Sequence, residues 1–279
     1  MNKVSALIVV LACTGVASAQ QLPTAIPQTK FASGQNVVPY FEGWIRNADG
    51  TFDLVFGYFN RNWEEELAIP AGPDNRLEPG APDRGQPTYF LPRRQGWVFR
   101  VRVPADFGKQ VLTWTIKARG KTETAYGELL PVQEITERIV MTRGNLNPGD
   151  QDPNKPPTLA IAAAPTASIS HPMSLTATVS DDGLPKPRVP VQRTVTTDAT
   201  RIQAQANSSA VPRPRGLTVS WMQLRGPAKV TFNPSGPNAV AGGTAVTEAR
   251  FSTPGTYVLR GTANDGALST KSDITITVQ

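Results

Sequence analysis

Apolar residues recur at every second position through much of the first half of this chain. Phe52, Leu54, Phe56 and Tyr58 form one such series. Trp97, Phe99, Val101 and Val103 form another, opposed by Val98, Arg100 and Arg102, and Leu112, Trp114, Ile116 and Ala118 form a third. A two-residue period puts each series on one face of a strand. Val37 to Ile45 reads as the preceding strand, followed by Asn47-Ala48-Asp49-Gly50, whose Asp-Gly pair signals a tight hairpin turn. Arg119-Gly120-Lys121 is the turn into a further strand, Thr122 to Tyr126. No sustained helical period interrupts this half, so residues 37–143 are expected to form an antiparallel β-sandwich.

Between the strands ending near Tyr58 and beginning near Trp97 lies a long connection rich in Pro, Gly, Asp and Arg. Loops of that length in a domain this small are either functional or disordered. This one carries Trp63, Tyr89 and Phe90, a content that disordered segments lack. It is therefore expected to fold back onto the sheet.

Residues 144–157, GNLNPGDQDPNKPP, combine Pro with turn-forming Asn, Asp and Gly and read as a stiff linker. Short β runs follow: Leu159 to Ala163, Ser174 to Ser180, Leu217 to Met222, Thr247 to Phe251, Tyr257 to Ala263 and Asp273 to Val278. Leu175, Ala177 and Val179 oppose Thr176 and Thr178, and Ile274, Ile276 and Val278 oppose Thr275 and Thr277. Trp221 and Tyr257 fall where an immunoglobulin-like sandwich places its core Trp and corner Tyr, here without a disulfide. The segments WMQLRGPAKVTF and ARFSTPGTYVLRGTANDGALSTKSDITITV resemble the C-terminal part of a PKD- or cadherin-like domain of bacterial secreted proteins. The Pro-Gly-Thr-Tyr turn, the Asn-Asp-Gly after its strand and the closing Thr/Ile/Val strand carry that resemblance, which covers roughly residues 155–279. It implies an immunoglobulin-like fold for residues 158–279, in the role of spacer, adhesion module or ligand-binding appendage. The pattern is broken by a basic insertion at 188–215. The first half is similar to parts of uncharacterised bacterial secreted proteins, which brings no activity with it. The fold class expected is all-β: two β-sandwich domains, the second immunoglobulin/PKD-like, preceded by a signal peptide.

The N-terminus sets the compartment. Lys3, the apolar run Val4 to Ala12 and Ala17-Ser18-Ala19 make residues 1–19 a secretory signal peptide, too short to span a bilayer. No later stretch approaches transmembrane length, so the chain is expected to be exported, periplasmic or extracellular. Cys13 is the only cysteine. Its alternative role is lipoprotein attachment, since Val10-Leu11-Ala12-Cys13 loosely resembles a lipobox. Cleavage after Ala19 leaves no thiol, which excludes disulfides and thiolate chemistry. Residues 20–36 read as an exposed lead-in. Residues 20–150 balance 15 basic side chains against 15 acidic, whereas 151–279 carry 12 against 7, so the excess positive charge lies in the second half.

Candidate chemistry is sparse, and no catalytic residue emerges. Glu64, Glu65, Glu66, Asp74, Glu78 and Asp83 share the long loop with aromatics. Facing carboxylates across a cleft would suit a carbohydrate-active enzyme, whereas acids paired with Arg61, Arg76, Arg84, Arg93 and Arg94 would be structural. Trp63, Tyr89, Phe90, Arg93 and Arg94 are the candidate ligand-binding set, for a glycan or a protein partner, unless the aromatics only pin the loop. Asp181, Asp182 and Asp265 at strand ends are candidate calcium ligands; turn chemistry explains them equally. No other cofactor is implied. Arg188, Arg193, Arg201, Arg213 and Arg215 make the insertion a candidate arm for an envelope polyanion. The absence of aromatics there argues against sequence-specific nucleic-acid work. His171 is the only histidine and sits in a Ser-His-Pro turn, an exposed turn residue rather than a triad member. The expected function is a non-enzymatic binding or structural module of the bacterial envelope or extracellular space, with a carbohydrate-active enzyme using loop carboxylates or a calcium-dependent adhesion module as the alternatives.

Overall fold

The computed structural model describes residues 30–144, 153–186 and 216–279. The expected signal peptide with Cys13, most of the expected linker, and the five arginines Arg188, Arg193, Arg201, Arg213 and Arg215 lie outside the described residues.

Alternation in the first half becomes β1 (Val37–Arg46), β2 (Phe52–Asn60), β3 (Leu67–Ala68), β4 (Asn75–Glu78), β5 (Tyr89–Phe90), β6 (Arg93–Val103), β7 (Leu112–Ala118) and β8 (Lys121–Gly127). One sheet runs β1-β2-β6 and a second β4-β7-β8, all antiparallel, with β3 and β5 forming a small ribbon. A short helix α1 (Glu137–Met141) follows, N-capped by the Thr136 hydroxyl. The inward series packs as expected: Phe56 stacks on Phe99 at 5.4 Å, and Trp114 meets Phe99 edge-on at 4.8 Å. The long loop is indeed folded, since it contributes β3, β4 and β5.

One expectation from alternation fails. Trp97 does not share the face of Phe99. The β2–β6 register slips between Phe56 and Tyr58, which pair with Phe99 and Gln95. Gly57 permits the slip, because a Cβ there would lie 2.6 Å from the Gln95 carbonyl. Within this bulge Trp97 takes φ 50°, and its ring turns to the opposite face to join Ile45, Val55 and Val140. Val98 and Phe99 are then both buried.

The second half comprises β9 (Thr158–Ala162), β10 (Thr166–Ala167), β11 (Met173–Ser180), β12 (Thr218–Arg225), β13 (Thr231–Asn233), β14 (Asn238–Ala239), β15 (Thr244–Arg250), β16 (Gly255–Asn264) and β17 (Ser269–Val278). Sheets β13-β15-β11-β9 and β10-β17-β16-β12-β14 face each other, with β10 pairing parallel to β17. This is immunoglobulin-like strand order, with the opening strand shared between the two sheets. Trp221 lies on β12 against Gly261, 3.4 Å from where a Cβ would sit. The Tyr257 hydroxyl donates to the Thr253 carbonyl at 2.8 Å, closing the corner that the sequence predicts.

The outer face of β12-β16-β17 is covered rather than solvated. Met222, Leu224 and Val258 join the apolar cluster of the first half. The Thr88 N–H donates to Leu224 O at 3.0 Å, and the Gly226 N–H to the Thr88 hydroxyl at 3.2 Å. Arg225 pairs with Asp83 at 2.6 Å and Lys229 with Glu66 at 2.7 Å. Residues Phe31–Gln279 thus form one compact unit.

Candidate recognition surface

Three of the five candidate ligand residues come together on the exposed side of the β1-β2-β6 sheet. Phe59 on β2 lies opposite Val38 on β1 and Arg94 on β6. Arg93, held at φ 66°, lays its guanidinium 4.7 Å above the Phe59 ring and 4.2 Å from the Trp63 ring. Arg94 sits 5.6 Å from the Tyr40 ring and pairs with Glu42 at 2.7 Å. Tyr40 is 39% exposed and Trp63 40%. The lead-in places Trp63: its N–H donates to Phe31 O at 2.9 Å, and those of Glu64 and Glu65 to Ala32 O at 3.0 Å. Residues 31–36 are therefore strapped along the start of the loop, with Asn36 buried. Burial pushes the Glu42 carboxyl up, against the opposing pull of the Arg94 charge, the Trp97 N–H and the Lys271 charge.

Tyr89 and Phe90 do not belong to this surface. Phe90 is fully buried between Tyr58, at 4.9 Å, and Trp114, and Tyr89 is 6% exposed with its hydroxyl on Glu66 at 2.6 Å. Both rings pin the loop, the second of the two roles open to them in the sequence. Tyr40, Phe59 and Glu42 are the surface residues that sequence reasoning did not single out. Their signal was the alternation of Val38, Tyr40 and Glu42 along β1.

The loop acids do not face one another across a cleft. Glu65 bonds Arg119, Glu66 bonds Lys229, Glu78 bonds Arg76 at 3.0 Å, Asp83 bonds Arg225, and Asp74 lies 4.0 Å from Lys117. These five of the six loop acids are matched with a base, yet only Arg76 comes from the loop arginines expected to serve. The rest belong to the β7–β8 corner or to the second half. Arginine or lysine partners thus occupy these acids, and no two of them are brought together as a facing pair.

Asp181, Asp182 and Asp265 gather near Asn154 at one end of the second sandwich. Asp265 accepts from the Ala267 and Leu268 N–H groups at 2.6 and 2.7 Å and from Asn154 Nδ2 at 3.1 Å. Asp182 accepts from the Lys155 and Leu184 N–H groups, and Asp181 from that of Gly183. Burial first, and then the neighbouring Asp265 and Asp182 charges, hold the Asp181 carboxyl above its ordinary value. Among the described residues no group of three or more His, Cys, Asp or Glu side chains has the arrangement to hold a metal ion. His171 is exposed in its turn, Nδ1 3.0 Å from the Ser170 hydroxyl. No helix among the described residues is long and apolar enough to cross a membrane.

No family model matches the chain, and no curated protein does. Among solved structures it is similar to the D00-D0 domain of intimin, at 11% identity over 87% of this chain and 100% of that one, with a TM-score of 0.28. A chimeric titin Z1Z2-Z1Z2 tandem gives 13% identity over 88% and 98%, TM-score 0.25. Domains 4 and 5 of the S-layer protein SbsC give 12% over 88% and 98%, TM-score 0.22. At these values the assignment of fold rests on strand order and pairing alone.

Proposed function

We propose that this chain is an exported, non-catalytic binding module of the bacterial envelope or extracellular space. It contacts a carboxylate-bearing protein partner through Tyr40, Trp63, Arg93 and Arg94. The observation that carries this reading is the exposed stack of Arg93 on Trp63 and Phe59 beside the Arg94–Tyr40 pair. A guanidinium lying on a ring still directs its N–H edge outward, and this fork fits a carboxylate. Trp, Tyr and Arg are also the residues that dominate protein interfaces. A neutral sugar would need the Trp63 ring face that Arg93 occupies. Supporting this, the loop acids are paired with bases, which disfavours the hydrolase alternative.

A screen of the chain against acidic peptides, neutral glycans and polyanions, at low and physiological salt, tests it. Acidic-peptide binding should survive physiological salt and weaken about tenfold or more in Trp63→Ala and Arg93→Ala. Binding only to neutral glycans, or salt-sensitive polyanion binding indifferent to both substitutions, would contradict the reading.

A further inference from the structure

Between the two halves lies a cleft of about 520 Å³. Trp97, Val140 and Leu224 supply apolar wall, and Lys271 with the Arg100–Glu137 and Arg260–Asp273 pairs lines the rest. A concave site of this size, apolar with a few convergent polar groups at a junction, has the form of a small-ligand pocket. Two consecutive carbonyls of the β6 bulge line it. Trp97 O accepts from Lys271 Nζ at 2.9 Å, and Val98 O accepts from an Arg260 guanidinium nitrogen.

The charges are unevenly matched. Arg100 is held by both oxygens of Glu137, and Arg260 by both oxygens of Asp273 at 2.6 and 2.7 Å. Arg225 is taken by Asp83. Among the described residues no carboxylate comes within ion-pair distance of Lys271; its amine donates to a neutral carbonyl. An ammonium has three donors, and a ligand oxygen arriving here would engage those that Trp97 O leaves.

We infer that the junction cleft binds a small organic carboxylate, its oxygens on Lys271 and its apolar body against Trp97, Val140 and Leu224. The cavity, the bulge that holds Trp97 at φ 50° in its wall, and a lysine with no carboxylate at ion-pair distance support it together. Strained backbone at a non-glycine residue clusters at binding sites. Lys271 is further held down, to about 7, by burial and by the Arg260, Arg143 and Arg100 charges, against the opposing pull of Asp273. A negative ligand would relieve that repulsion. This site is separate from the aromatic–arginine face, so either can fail without the other.

The test is competitive acetylation of the lysines of the full chain with dilute acetic anhydride at pH 8, read by peptide mass spectrometry, with octanoate as the probe. Octanoate at millimolar concentration should slow labelling of Lys271 at least about fivefold while other lysines react as before, and should raise the melting midpoint. Phosphate at equal ionic strength should do neither. Unchanged Lys271 labelling in octanoate, or protection by phosphate as strong as by octanoate, would overturn the assignment.

Discussion

Buried side-chain amides hold the long loop together with its buried aromatics. Asn75 is fully buried; its Oδ1 accepts from Trp114 Nε1 at 2.9 Å, and its Nδ2 donates to Ile69 O and Pro87 O at 2.9 and 2.8 Å. Asn60 and Gln86 bond loop carbonyls from buried positions in the same way, and buried Asn62 donates to Gln35 O in the segment ahead of β1. Leaving a buried partner unpaired costs about 1–3 kcal/mol. Asn75→Ala, which strands three partners, should therefore cost roughly 3 kcal/mol or more. Denaturant titration checks this; a loss below about 1 kcal/mol would mean that the loop is held otherwise. At the far end, Asp181 has a raised pKa, so the folded state favours its protonated form. Stability from this group is greatest at acidic pH and declines as pH rises through and above the ordinary carboxylate range. Asp181→Asn should accordingly raise the melting midpoint slightly at pH 7 and leave it unchanged near pH 3, a small effect because the site is largely solvated. Calcium should leave the wild-type midpoint unmoved, and a calcium-dependent rise would restore the metal reading of Asp181, Asp182 and Asp265.

Elements show where pattern is legible in sequence and where it is not. The inward faces of β2, β7, β11 and β17, together with the Tyr257 corner, follow from a two-residue period and turn residues, both of which are local properties. Trp97 does not, because a bulge shifts a side chain across the sheet, and bulge geometry depends on the partner strand. Loop acids illustrate the same limit. Glu66 and Asp83 find Lys229 and Arg225 more than 140 positions away, and no spacing rule connects them. Tyr89 and Phe90 were legible as apolar, but nothing nearby in sequence indicates that β5 lies beneath Tyr58 and against β12. The recognition face was half visible: Arg93, Arg94 and Trp63 share one stretch, whereas Tyr40 and Phe59 reach them only through strand pairing.

The whole molecule behaves as two sandwiches docked along β6 and the β12-β16-β17 sheet, and Lys271 at that joint makes its stability pH-dependent. A lysine held near 7 is neutral in the fold and charged in the unfolded chain up to its ordinary value near 10.4. The unfolded state therefore binds the extra proton across that window, and stability rises with pH from about 7 to about 10, by at most ~1.4 kcal/mol per unit. Arg100, Arg143 and Arg260 set the repulsion, and Asp273 opposes it. Subtracting the pH profile of Lys271→Met from that of the wild type isolates the effect. A flat difference between pH 7 and 10 would remove it. The aromatic–arginine face lies on the exposed side of the β1-β2-β6 sheet, and the proposed function rests on its binding a partner. Its most direct test is a photo-crosslinking residue placed singly at Tyr40, Trp63 or, as control, the exposed Val246 of the second half, in the cell that makes the protein. Discrete protein adducts from positions 40 and 63, suppressed by Arg93→Ala and absent from position 246, are the expected result. No adduct at 40 and 63, or the same adducts at 246, would contradict the assignment of that face.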